Sequence, residues 1–419
     1  MTSTLLPVRR DEQGRESVAA GVGERLRSPV APYYLLLTAT GLLLSIGLVM
    51  VLSASSVGSY QTSGNSYKVF TQQLIFAGAG IALGLIASRI PVRVWKWLAP
   101  WGMLAAIGLQ ALVFSPLGTD FQGNRNWIAI GGTSLQPSEF GKVALVVFGA
   151  AVLTKKRKVL GRISHVLIPF VFPGAFLLIG LVLAGHDLGT VLILVAITGG
   201  MMFGAGVQAR YFVAVAGLAA AGAAYMAVGS ANRMERIQAW IGNICVNPDV
   251  QGCFQKVHAE YALADGGWWG LGLGGSKEKW GLLPEPHNDF ILAIIGEELG
   301  LPGTLTVMLL FAVIAYASYR IVVTSKDFFV RIAACGIMVW LVAQAMLNIG
   351  SVIGMLPIIG VPLPLVSSGG SALIAALIGM GILLSLARSL PGAKASLGSR
   401  PSLLRRTLSV VPAPRLRRR

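Results

Sequence analysis

Apolar residues in this chain gather in long blocks rather than alternating with polar ones. The first block, 33–54, runs for 22 residues without a charged side chain. At roughly 20 apolar residues per bilayer crossing, the pattern predicts about ten membrane-spanning helices, at 33–54, 70–88, 95–114, 138–154, 165–184, 188–206, 211–228, 289–321, 328–352 and 365–387. Only Gly185, His186 and Asp187 separate the fifth from the sixth, which implies a tight turn. The eighth is long for one crossing, so it is expected to tilt or to extend beyond the bilayer. Two polar stretches break the series, 115–137 and the roughly sixty-residue 229–288. Segments of that length seldom serve as plain connectors and point to function. No tandem repeat is evident.

Composition supports the same picture. The chain is 54% hydrophobic and 12% charged, with a mean hydropathy of +0.71, values outside the range of soluble domains. A net charge of +17 would suit nucleic acid, but placing the basic residues removes that reading. With the N-terminus inside, 26 of the 34 lysines and arginines fall on one face, the positive-inside signature. The expected architecture is an all-α integral membrane protein with both termini cytoplasmic. It has an N-terminal tail (1–32), a polytopic domain (33–388) and a basic C-terminal tail (389–419) that suits contact with anionic lipid. The 229–288 segment becomes an extracytoplasmic loop between helices seven and eight. Three cysteines are too few for a disulfide scaffold. Cys335 reads as a buried thiol, while Cys245 and Cys253 share the outer loop and can form a local disulfide.

The most informative stretch is LLPEPHNDFILAIIGEELGLPG, ending at Gly303. Asp289, Glu297 and Glu298 would each cost a few kcal/mol against lipid, so they should face protein or a watery cavity. Pro286 and Asn288 fit a helix start. From Asp289 the 100° step places Ala293, Gly296 and Gly300 on one small-residue face open to a neighbouring helix. Glu139 and Lys142, three apart in QPSEFGK, share a helical face, either as a neutralising internal ion pair or as a substrate contact. Asp187 in GHDLGT can cap the helix that follows.

The large loop carries Arg233, Arg236, Lys256, His258, Lys277 and Lys279, a set suited to lipid-borne phosphate or simply to a solvated basic face. Its GLGLGGSK run lacks phosphate-loop spacing and reads as a turn. Trp127, Trp268, Trp269 and Trp280 suit interfacial anchoring or stacking on sugars. His186, His258 and His287 show no zinc spacing, and there is no hydrolase serine motif. A lone external carboxylate beside cations suits general-base activation of a hydroxyl with stabilisation of a departing phosphate; a helix N-terminal acid is the structural alternative.

These residues resemble the SEDS family, the polytopic peptidoglycan glycosyltransferases FtsW and RodA of cell division and elongation. NIGSVIGMLPIIGVPLPLVSSGGSA, from Asn348 to Ala372, carries the most specific match, followed by LPEPHNDFILAIIGEELGLPG, QPSEFGK and GHDLGT. Ser-Ser-Gly-Gly and the cysteine-bearing loop are closer to the division type of high-GC Gram-positive bacteria than to the elongation type. The resemblance implies polymerisation of lipid II with release of undecaprenyl diphosphate. Asp289 would be the catalytic base. The implied substrate-binding set is Arg125, Trp127, Glu139, Lys142, Arg233, Arg236, Lys277, His287, Ser367, Ser368, Gly369 and Gly370. GNRNW departs from the family's GxxRW by placing Asn126 between the arginine and the tryptophan.

Implied partners are lipid II, a class B penicillin-binding transpeptidase, other divisome membrane proteins and the lipid bilayer, at the plasma membrane of the division septum. No tightly bound cofactor is expected, although a divalent cation, magnesium or manganese, can bridge a diphosphate and a carboxylate. Rival expectations are a lipid II flippase and a non-catalytic scaffold for the transpeptidase.

Overall fold

The computed structural model describes residues 28–121, 124–130, 133–160, 167–208 and 251–393, together with 396 and a few positions between 210 and 240. Its elements are α1 (Ala31–Ser63), α2 (Lys68–Arg89), α3 (Val92–Ala111), β1 (Gly118–Phe121), β2 (Asn124–Ile130), β3 (Thr133–Leu135), α4 (Pro137–Lys155), α5 (Phe176–Ala184), α6 (Leu188–Gly204), α7 (Gln251–Gly266), α8 (Ile291–Thr324), α9 (Phe328–Val352) and α10 (Gly370–Arg388). Seven of these helices are long and apolar enough to cross a membrane, and two shorter apolar segments, Ile168–Ala184 and Leu188–Gly204, accompany them. The chain is a multi-pass membrane protein. The expected span 211–228 falls almost wholly outside the described residues.

The sequence dictates several of these boundaries directly. Pro32 occupies the first turn of α1, where a missing N–H costs nothing, and Gly64 ends the helix at φ 69°. Asp187 does cap α6: Oδ1 accepts from Thr190 N at 2.9 Å, and Oδ2 accepts from the Thr190 hydroxyl and from Gln136 Nε2. Asp327 caps α9 in the same way through Phe329 N. Around the buried α9 and α10 the other helices pack pairwise, α2 on α10, α1 on α8, and α4 and α6 on α9. The first polar segment, for which pattern analysis gives no regular structure, holds a three-stranded antiparallel sheet in the order β1-β2-β3. The second contains α7, which lies along α8.

Several boundaries differ from expectation: the first span runs on to Ser63, the regular helix of the fifth begins only at Phe176, and two further differences frame Asp289. The eighth span does not begin at Asp289: α8 starts at Ile291, and residues 281–290 form turns with Glu285 at φ 50°. The reason lies in hydrogen bonding. The Asp289 carbonyl accepts from Asn348 Nδ2, while Ala293 N donates to the Phe290 carbonyl. The tenth span begins at Gly370 rather than 365, because 353–369 form an irregular loop packed into the helices.

The small-residue face is also interrupted. Gly300 has φ 66° and ψ −163°, which breaks α8, and Pro302 follows. Proline offers no N–H to the Glu298 carbonyl. The outer loop supplies the replacements: Gly272 N donates to Glu298 O, Leu271 N to Glu297 O, and Leu301 N in turn to Gly267 O. Gly296 stays helical and does meet a neighbour, since its backbone lies against Gly266 at the end of α7.

The 353–369 loop reaches deep into the bundle. A β-carbon on Gly47 of α1 would stand 2.7 Å from both Cα and O of Val366, backbone atoms that cannot rotate aside. Gly47→Ala should therefore lose about 1–3 kcal/mol in thermal unfolding of the detergent-solubilised protein. Gly41→Ala on the same helix, where nothing lies within 4 Å, should lose nothing; equal losses would remove packing as the cause.

Candidate active site

Asp289 sits half-buried in the turn before α8, on a shelf made by the 353–369 loop. Most ties of that shelf are side chains reaching to backbone. Asn348 Nδ2 donates to the carbonyls of Asp289 and Val361, both at 2.8 Å. Ser367 Oγ donates to the Asn288 carbonyl and accepts from Leu363 N, both at 2.7 Å. Ser368 N donates to the His287 carbonyl. Gln73 of α2 grips the far side, donating to Ser367 O and accepting from Gly369 N. Gly360, at φ 75°, faces the carboxylate: a β-carbon there would lie 3.4 Å from Asp289 Oδ2.

Helix lengths locate the shelf in depth. Twenty residues of α9 separate Phe328 from Asn348, about 30 Å at the helical rise, close to one hydrocarbon thickness. Asp289 thus lies near the boundary that the charge pattern assigns to the outside. An irregular backbone at that depth needs internal hydrogen-bond partners, and the serine and amide side chains provide them.

Below the shelf, Glu139 and Lys142 form an ion pair at 2.7 Å with both side chains buried. Lys142 also donates to Gln344 Oε1 at 2.9 Å and lies 5.3 Å from the centre of the Trp340 ring. Gln344 Nε2 continues to the Pro362 carbonyl. Of the two expected roles the neutralising ion pair is formed, and it lies beneath the shelf. Gln344, Gln73 and Gln136 were missed by sequence reasoning. Uncharged amides inside apolar runs were the available signal, weaker than a charge but costly in lipid for the same reason.

Glu297 and Glu298 point into the outer loop. Glu298 accepts from the Ser53 hydroxyl of α1 at 2.7 Å and from Lys279 Nζ at 3.0 Å, and Glu297 accepts from the Ser276 hydroxyl and from Lys277 N. Lys279 and Glu298 are both buried. These acids hold the loop to the broken helix. The GLGLGGSK glycines form the expected turn, with Gly270, Gly272 and Gly274 at positive φ. The Lys277 ammonium is committed to Asp265 at the surface, and this pairing raises its pKa. His258 bonds Glu278, whose pKa burial pushes up against the opposing pull of that histidine.

Arg125 lies on β2, its guanidinium turned to the Ser115 carbonyl, and Trp127 is half-buried on the same strand opposite Thr119. Asn126, the residue between them, is buried, donating to the Gly185 carbonyl and accepting from Gln110. The departure from GxxRW thus places an amide in the packing between the sheet and the α5–α6 turn. Gly370 abuts the Phe76 ring, and Gly369 gives its N–H to Gln73. Cys335 is a free, buried thiol and Cys253 is disulfide-bonded. Cys245, Arg233 and Arg236 lie outside the described residues. Among the described residues no three His, Cys, Asp or Glu side chains converge as metal ligands.

Comparison with known proteins bears on this arrangement. The model of a family described as cell cycle proteins, FtsW/RodA/SpoVE, matches residues 34–391. A curated relative from Mycobacterium tuberculosis, named probable peptidoglycan glycosyltransferase FtsW, is 38% identical over 376 residues, covering 90% of this chain and 71% of the relative. Among solved structures, RodA of Thermus thermophilus superposes with a TM-score of 0.62 at 22% identity, covering 85% of this chain and 96% of that one. A chain of a peptidoglycan synthase complex superposes with a TM-score of 0.68 at 22% identity, covering 84% and 96%. These likenesses show the fold.

Two outcomes test the geometry. Burial lowers the His287 pKa below the ordinary 6.5, with Glu285 opposing, so the unfolded chain takes up a proton that the folded shelf resists. Stability from this group is complete above about pH 6.5 and falls as pH drops below it; His287→Gln should show a smaller fall in melting temperature between pH 7.5 and 5. Lys279→Met strands the buried Glu298 carboxylate and should cost about 3–5 kcal/mol, with Lys279→Met/Glu298→Gln recovering part of the loss in the same melting assay.

Proposed function

The chain belongs to the FtsW/RodA/SpoVE family of cell cycle proteins, and on that premise we propose that it is a peptidoglycan glycosyltransferase that polymerises lipid II. The observation that carries the reading is the placing of Asp289: a half-buried carboxylate near the outer boundary, its backbone clamped by Asn348 and its neighbours by Ser367 and Ser368. Preorganisation of this kind is what a general base needs.

In the proposed reaction the Asp289 carboxylate takes the proton from the 4-hydroxyl of the acceptor sugar. That oxygen forms the new bond to the anomeric carbon of the donor, and the bond from that carbon to the diphosphate breaks. Undecaprenyl diphosphate leaves with the electron pair. The Glu139–Lys142 pair and Gln344 support the shelf from below. Arg233 and Arg236, with guanidinium groups that suit phosphate oxygens, are proposed to receive the leaving diphosphate. A magnesium or manganese ion, where it takes part, would be held in part by the diphosphate's own oxygens.

The division-type assignment, with action at the septum, is supported by the mycobacterial relative's name. A class B penicillin-binding transpeptidase as partner is supported by the structural likeness to a chain of a peptidoglycan synthase complex.

Purified protein incubated with labelled lipid II, with and without its transpeptidase, should form glycan strands. Asp289→Asn should retain lipid II binding and lose about 10²–10⁴-fold in rate. Polymer at the wild-type rate would remove Asp289 from the chemistry. Translocation of lipid II in sealed vesicles without any polymer would replace transferase with transporter.

A further inference from the structure

Gln344 stands where two halves of the site meet. Its Oε1 accepts from Lys142 Nζ at 2.9 Å and from Trp340 Nε1 at 2.8 Å, and its Nε2 donates to the Pro362 carbonyl at 2.9 Å. One helical turn on, Asn348 takes the adjoining Val361 carbonyl and that of Asp289. Gln344 is 2% exposed, so water does not substitute for these partners.

The orientation of this amide is forced. An ammonium and an indole N–H only donate, so the face toward Lys142 and Trp340 must be the oxygen. The NH₂ group is thereby aimed at Pro362. The Glu139–Lys142 pair thus fixes which way the amide points, and the amide holds the Pro362 carbonyl, which belongs to the 362–363 peptide. Two residues before that peptide is Gly360, beside the Asp289 carboxylate. The peptide just before the 362–363 one, through the Val361 carbonyl, shares Asn348 with the Asp289 carbonyl, so a shift of the loop moves both the wall beside the carboxylate and the anchor beneath it.

We infer that Gln344 is a positioning residue for glycosyl transfer, transmitting the placement of the Glu139–Lys142 pair to Asp289 through the Val361–Pro362 backbone. This rests on Asp289 being the base. Gln344 touches no reacting atom in the proposed chemistry and acts by holding the loop. Displacements of about 1 Å at a catalytic group cost on the order of 10²-fold in rate, which sets the size of the expected effect.

Two substitutions separate the links. Gln344→Met removes both and roughly keeps the volume. Gln344→Glu keeps an acceptor for Lys142 and Trp340 but, ionised, has no proton for Pro362. For lipid II polymerisation, both should lower kcat about 10–100-fold with KM within about threefold, and both should move the acid limb of the kcat–pH profile. Adding Lys142→Met to Gln344→Met should bring little further loss in kcat per folded protein, because the relay is already cut, while the stranded Glu139 carboxylate lowers the melting temperature.

The inference is overturned if Gln344→Glu, folded by size-exclusion chromatography, keeps kcat within about threefold of wild type. It is equally overturned if losses follow the folded fraction, with the acid limb unmoved and the double variant additive. Asp289→Asn in the same assay reports separately on the base: an active Asp289→Asn protein sinks that assignment whatever Gln344 does.

Discussion

A peptide backbone that leaves helical geometry at the depth of a bilayer must find every hydrogen bond inside the protein. Around Asp289 this chain leaves helical geometry in the 281–290 turns and the 353–369 loop, which bring that residue to its shelf. Four uncharged side chains meet the demand, Gln73, Gln344, Asn348 and Ser367, each reaching from its own element to carbonyls or N–H groups that no helix satisfies. The candidate site is thus the place where regular structure stops, and its precision derives from the side chains that make stopping tolerable.

The same constraint explains the carboxylates of α8. Breaking the helix at Gly300, with Pro302 behind it, strands carbonyls at the outer boundary. The loop before α8 donates to them and, a few residues on, lends Lys279 and Ser276 to the acids themselves. Glu297 and Glu298 are the clasp between helix and loop, whereas Asp289 keeps its carboxylate beside a glycine. Of the three acids in this short stretch, two therefore serve structure, and the third is the proposed base.

Much of this was legible in the sequence. Blocks of apolar residues located the spans, since the price of a charge in lipid leaves a clear imprint, and the Asp187 cap followed from a short polar side chain at a helix start. The Glu139–Lys142 pair was readable from its spacing. What escaped was set by partners distant in sequence: the carbonyl of Asp289 is taken by Asn348, so the helix starts two residues late, and Gly300 abandons helical geometry because residues 268–272 cross it. The sheet at 118–135 was hidden because its short strands lack a clean alternation. Gln344 carried only the faint signal of an amide among apolar neighbours, and its role depends on a carbonyl 18 residues away.

The clasp at Glu298 also has a temporal side. Ser53 of α1 bonds a carboxylate 245 residues later in the chain. At translation rates of 5–20 residues per second, about 10–50 s pass before that acid is made. Throughout that interval the outer end of α1 carries a hydroxyl whose native acceptor has not been synthesised. In that interval the carbonyl one turn back in its own helix can receive the hydroxyl, as Thr40 and Ser45 of α1 show, and the clasp itself closes late.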